Sequence, residues 1–178
     1  MEKIKVGDRW FTPFISETDI LKRVEEVAAS LNKDYAGKKP VFLVVLNGAF
    51  MFASDLMKRI NIPCEITFIK LSSYEGMNST GKIKEVMGLY EDIRDRHVVI
   101  VEDIVDTGLT MQRVMEILHK HHPASVEMCT LLFKPDKLVV DSLPKYVAFS
   151  IPNAFVLGYG LDYEQEARNL RNIYTIVE

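Results

Sequence analysis

Cysteine is almost absent from this chain: Cys64 and Cys129 are the only two in 178 residues. Two thiols cannot staple a chain of this length, so a disulfide framework is excluded, and both are expected as buried small hydrophobes. Long apolar runs are also missing. Nothing approaches the roughly 20 residues that a membrane-spanning helix needs, and Met1-Glu2-Lys3-Ile4-Lys5 lacks the apolar core of a signal peptide, so the chain is expected in the cytosol. There is no excess of basic residues either. A net charge of −3 leaves no electrostatic footprint for nucleic acid or for an anionic membrane, which makes bulk polyanion binding an unlikely trade for this protein. Repeats, low-complexity tracts and a linker are lacking as well, so residues 1–178 are expected to form one domain.

What is present is an alternation of two periodicities. Residues 41–46 and 98–101 are unbroken apolar runs, the signature of strands covered on both faces, and residues 125–133 read as another strand. Residues 65–71, 146–149 and 174–177 add further strands. Between them lie helical faces. Ser16 with Asp19 resembles a capping box ahead of Ile20, Leu21, Val24, Val27, Ala28 and Leu31; Phe52, Ala53, Leu56, Met57 and Ile60 mark a second helix; Met111, Val114, Met115 and Leu118 mark a third. The N-terminal Trp10, Phe11, Pro13 and Phe14 read as extended and packed against something. Alternation of this kind implies an α/β domain with a mostly parallel twisted sheet, helices on both faces, and ligands at the carboxyl ends of the strands.

The chemistry concentrates after residues 98–101, where the chain changes abruptly to Glu102-Asp103-Ile104-Val105-Asp106-Thr107-Gly108-Leu109-Thr110. Gly108 permits positive φ, Thr107 and Thr110 offer hydroxyls, and free N–H groups at the start of the following helix form a concave phosphate site. Glu102 and Asp103 would repel such an anion unless a divalent cation lay between them, and ligation by oxygen alone suits Mg²⁺. A plainer alternative is that the acids cap the helix and the glycine only turns the chain.

This stretch resembles the phosphoribosyl-diphosphate (PRPP) loop of the type I phosphoribosyltransferases, in particular the hypoxanthine-guanine enzymes, and the resemblance extends over most of the chain beyond about residue 40. It implies a fold with a core of about residues 16–150, a small hood from about 1–15 and 151–178, and a lid over about 72–85 that carries Ser73 and Tyr74. The implied reaction is purine salvage: Mg²⁺-dependent transfer of the 5-phosphoribosyl group from PRPP to N9 of hypoxanthine or guanine, giving IMP or GMP and pyrophosphate. By the same resemblance Glu102 and Asp103 hold the ribose hydroxyls and Mg²⁺. Asp106, Thr107, Gly108, Leu109 and Thr110 take the 5′-phosphate, with Asp106 also the general base at the purine N7. Asn47 and Gly48 face pyrophosphate across a cis Leu46–Asn47 bond, Lys134 donates to the exocyclic O6, Phe155 stacks on the base, and Val156 reads its edge through the backbone. Asp162 holds a second Mg²⁺ beside the purine, and Arg168 holds the pyrophosphate. Relatives carry lysine where this chain has Asn47 and Leu109, which removes two side-chain charges. Members of the family usually form homodimers or homotetramers.

Three other features are set aside or kept as rivals. Gly158 and Gly160 lack the third glycine and the helix of a dinucleotide fingerprint. His119, His121 and His122 near Pro123 are read as polar residues at a helix C-terminus rather than a metal site. A xanthine-preferring transferase and an RNA-binding regulator that senses PRPP on the same fold are the alternatives; the low net charge, together with Lys134 and the Phe155-Val156 pair, favours purine recognition over RNA.

Overall fold

Apolar runs without polar interruption cannot leave one face in water, and in the folded chain they form the inner strands of a sheet covered on both sides. The computed structural model describes residues 2–73, 83–87 and 92–177. In chain order the elements are β1 (Ile4–Val6), β2 (Arg9–Ile15), α1 (Glu17–Asp34), β3 (Val41–Leu46), α2 (Phe50–Met57), β4 (Glu65–Ser73), β5 (Ile83–Met87), β6 (His97–Val105), α3 (Leu109–His119), β7 (Ser125–Phe133), a 3₁₀ turn (Pro135–Lys137), β8 (Tyr146–Ser150), β9 (Val156–Leu157) and β10 (Ile173–Ile176).

The central sheet has the order β5-β4-β3-β6-β7-β8. Five strands run parallel, and β5 pairs antiparallel with the end of β4. Helices α1 and α2 pack on one face over Phe42, Val44, Val99 and Val101, and α3 covers Leu43, Val45, Val98 and Ile100 on the other. From β3 the chain moves one way, through α2 to β4; from β6 it moves the other way, through α3 to β7. Between β3 and β6 the strand order therefore reverses, and in an open α/β sheet the crevice at the carboxyl ends of such a pair is where ligands bind.

The two ends of the chain come together in a second sheet, antiparallel and ordered β1-β2-β10-β9. Phe11, Leu157 and Tyr174 form its core. The extended N-terminal aromatic segment is thus a strand, with Phe11 buried but Trp10 and Phe14 exposed. Pro13 is placed where its missing N–H costs nothing on one side, because β1 pairs only with residues 9–11.

Local signals set several boundaries. Ser16 is the N-cap of α1 and accepts the Asp19 N–H through its hydroxyl, and the helix ends at Asp34, three residues before Gly37. Helix α2 stops at Met57, so Ile60 packs on the core from outside it. Three short strands, β1, β5 and β9, carry no periodicity long enough to be recognised in sequence. Strand β5 takes residues 83–85 of the stretch expected as lid; Tyr74 lies outside the described residues, and of Ser73 only the backbone at the end of β4 is described. Cys129 is buried, but Cys64 is only partly buried, because it sits in the connection ahead of β4 rather than inside the sheet.

Candidate active site

The site is assembled from three strand ends. Strand β3 ends at Leu46, the Leu46–Asn47 peptide bond is cis, and Gly48 follows. A Cβ on Gly48 would overlap Asp103 Oδ2, so only glycine lets this turn close against β6. Leu46 and Gly48 line the resulting cleft, whereas Asn47 is exposed and is not among the lining residues.

Strand β6 does not stop at the acids, as the change of composition suggests, but runs through them to Val105. Glu102 is only 7% exposed; its Oε1 accepts the Asp103 N–H at 3.1 Å, and Asp103 Oδ1 accepts the Ile104 N–H at 2.7 Å. Burial pushes the Glu102 carboxyl well above the usual carboxylate range, and the neighbouring Asp103 charge and hydrogen bond push it further. Burial raises Asp103 as well, opposed by its bond to Glu102, by backbone N–H groups and by the charge of Arg168. With Glu102 buried and Asp103 half-buried beside it, a nearby cation would favour ionisation of both carboxyl groups.

Asp106 stands just past β6. Its Oδ2 lies 3.4 Å from Lys134 Nζ and 3.4 Å from Lys137 Nζ, while Oδ1 is buried with no hydrogen-bond partner among the described residues. Lys134, at the end of β7, is itself 93% buried and donates its backbone N–H to Val105 at 3.0 Å, which ties the two strand ends together. The turn beyond Asp106 is held from below by the Val139 N–H, which donates to the Thr107 carbonyl at 3.0 Å. Gly108, at φ 82°, is the N-cap of α3 and supplies no side-chain bond to it. The start of the 11-residue helix lines the cleft through Thr107, Gly108, Thr110 and Met111, and helix N–H groups so placed could take an anion. Leu109 points away and is largely exposed.

Two clefts meet here. One, of about 350 Å³, is lined by the ends of β3 and β6, the turn into α3, Asp162 and Arg168. The other, of about 270 Å³, is lined by Lys134, Phe155, Val156 and Leu161. Asp103, Ile104, Asp106 and Asp162 line both. Phe155 is 45% exposed at the second cleft and braced edge-on by Tyr163, with ring centroids 5.8 Å apart. Asp162 and Arg168 are engaged with each other: Oδ1 lies 2.8 Å from Arg168 Nη2, and Oδ2 accepts the Gln165 N–H at 2.8 Å. Both residues line the first cleft with this pair formed.

Among the described residues no three His, Cys, Asp or Glu side chains converge to hold a metal. Glu102 and Asp103 nevertheless fit Mg²⁺, a hard cation that takes one or two carboxylates from the protein and completes its shell with water and phosphate oxygens. The histidines near Pro123 make no such group; His119 Nδ1 lies 2.6 Å from the Met115 carbonyl. Lys137 is the site residue that sequence reasoning passed over. Its signal was available: after Pro135 a 3₁₀ turn brings side chains three apart onto one side, which sets Lys137 beside Lys134.

Comparison with known proteins gives the same picture from another direction. A family model for the phosphoribosyl transferase domain matches residues 16–164. The hypoxanthine phosphoribosyltransferase of Haemophilus influenzae is 44% identical over 92% of this chain and 93% of its own, and the hypoxanthine-guanine phosphoribosyltransferase of Streptococcus pneumoniae is 41% identical over 92% of both. Among solved structures, a hypoxanthine-guanine phosphoribosyltransferase from Bacillus anthracis is similar with a TM-score of 0.88 at 38% identity, covering 94% of this chain and 97% of the other.

Proposed function

The chain belongs to the phosphoribosyltransferase family, and from that premise we propose that it is a purine-salvage enzyme that transfers the 5-phosphoribosyl group of PRPP to N9 of hypoxanthine or guanine, releasing pyrophosphate and giving IMP or GMP. The observation that carries this reading is the shared wall of the two clefts. A transfer between a phosphorylated sugar and a flat base needs adjoining sites with carboxylates where they meet, and Asp103, Asp106 and Asp162 occupy that seam.

In this reading the 5′-phosphate sits on the N–H groups at the start of α3, within reach of Thr107 and Thr110. Glu102 and Asp103 hold the ribose hydroxyls and Mg²⁺. When bound, Mg²⁺ neutralises the pyrophosphate leaving group. The reacting sugar develops positive charge as pyrophosphate departs, and the carboxylates on the seam stabilise that charge. The base lies on Phe155, with the backbone at Val156 along its edge. Lys134 leaves Asp106 and donates to O6; an adenine amino group would set donor against donor, so adenine is refused. Asp106 Oδ1, buried and unpartnered, takes the N7 proton. Asp162 would hold a second Mg²⁺, and Arg168 would hold the pyrophosphate.

A cytosolic homo-oligomer fits the same reading. Among the described residues no helix is long and apolar enough to cross a membrane. Ile66 and Phe68 are 42% and 39% exposed, and their register with Phe42 and Val44 puts them on the α1 and α2 face, on a part of β4 that β5 does not cover. Apolar side chains left together in the open are suited to a second copy.

The test is a comparison of hypoxanthine, guanine, xanthine and adenine as acceptors with PRPP and Mg²⁺. Turnover of hypoxanthine or guanine is expected, with adenine inert and all activity lost in excess EDTA and restored by Mg²⁺. Turnover with adenine, or full activity in EDTA, would overturn the assignment.

A further inference from the structure

Asp106 has two cations on one oxygen. Lys134 Nζ and Lys137 Nζ both stand 3.4 Å from Oδ2, longer than the roughly 2.7–2.9 Å of a tight charge-assisted bond, while Oδ1 is buried and unpartnered. The arrangement is lopsided, and the two lysines differ. Lys134 is buried at the second cleft, whereas Lys137 is 39% exposed, on the far end of the 3₁₀ turn, and lines neither cleft. Lys134 lines the cleft assigned to the base, whereas Lys137 meets Asp106 from outside it.

We propose that Lys137 is a positioning residue that takes over Asp106 when Lys134 turns to the base. The inference rests on the function proposed above, in which Lys134 donates to O6 and Asp106 accepts at N7. The moment Lys134 leaves, Oδ2 would lose its buried cation just when Oδ1 must stay aimed at the purine. Lys137 keeps Oδ2 occupied and so prevents rotation of the carboxyl group away from the base. The 3₁₀ turn makes the hand-over possible, because the Lys137 N–H donates to the Lys134 carbonyl at 3.1 Å, which fixes the spacing of the two residues on one rigid turn. The Lys137–Asp106 pair contributes little to folding, since both side chains are more than a third exposed and solvent screens them.

Lys137→Met keeps the stem and removes the charge. The expected result is a fall in kcat of about 10-fold with hypoxanthine, with the KM for PRPP changed less than about twofold, because the phosphate is held by backbone at the start of α3. The thermal midpoint should not move. Lys137→Arg should recover most of the rate, and in an Asp106→Asn background Lys137→Met should have no further effect, as two residues acting through one group must. Native turnover in Lys137→Met overturns the hand-over while leaving the enzyme assignment intact, and so does an equal loss from Lys137→Met with and without Asp106. Native turnover in Asp106→Asn overturns the base role and the hand-over with it. Absence of purine transfer by the native chain overturns the function itself.

Discussion

At the scale of the residue, the acid pair Glu102-Asp103 sets a buried carboxyl group against a half-buried one. Glu102 is held above the ordinary carboxylate range first by burial and then by Asp103, so its protonated form is favoured in the folded chain. The sign of the pH effect follows. Below the unfolded value of 4.5 the group is protonated in both states and costs nothing; as pH rises beyond that, the unfolded chain ionises while the folded chain resists, and stability is lost until the folded value is passed. In EDTA the thermal midpoint of the native chain should therefore fall as the pH is raised above the unfolded value of 4.5, and Glu102→Gln, uncharged and of equal size, should flatten that slope. A slope unchanged in Glu102→Gln would mean that another group causes it. Mg²⁺ should raise the native midpoint more at pH 8 than at pH 6, since it binds the ionised pair.

At the scale of the element, the turn between β6 and α3 combines two demands that only glycine meets together. Gly108 has φ 82°, and a Cβ there would strike Val140 Cγ2 and come within 2.8 Å of Leu138 Cδ1. A left-handed alanine costs about 1–2 kcal/mol before any clash is counted. A chain of this size loses about 2–4 °C of Tm per kcal/mol, so Gly108→Ala should lower Tm by about 2–8 °C. The larger effect should fall on the phosphate site. Tilting the first N–H groups of α3 should raise the KM for PRPP by about 10-fold or more and leave purine KM nearly unchanged. Equal changes in both constants would show that the turn does not read the phosphate. The same turn is held from beneath by Val139, a contact between segments more than thirty residues apart, and no local pattern could have announced it.

At the scale of the whole molecule, the open apolar stretch on β4 bears on assembly. Phe68→Glu places a charge where a second copy would lie, on a side chain already 39% exposed, so the variant chain should still fold, with any fall in Tm arising from lost association. Light scattering at micromolar concentration should give a dimer or larger species for the native chain and a smaller one for the variant. A native monomer at that concentration would remove the assembly.

The elements differ in how much of them sequence alone determined. The doubly buried strands β3 and β6 and the helices α1 and α3 were legible, because a continuous apolar run or a 3.6-residue period is a property of neighbouring residues. The turn at residues 106–110 was legible for the same reason: its glycine, hydroxyls and acids lie side by side. Strands β1, β5 and β9 were not, since each is two to five residues long and exists only because a partner strand pairs with it. Nor could sequence reveal that Glu102 and Asp103 remain inside β6, that Asp162 and Arg168 close on each other, or that Lys137 shares Asp106 with Lys134. Local order is encoded in spacing along the chain. The meeting of Asp106, Lys134, Phe155 and Asp162 at one cleft is decided by the sheet, which brings the ends of strands far apart in sequence to one edge, and by the C-terminal segment that supplies Phe155 and Asp162.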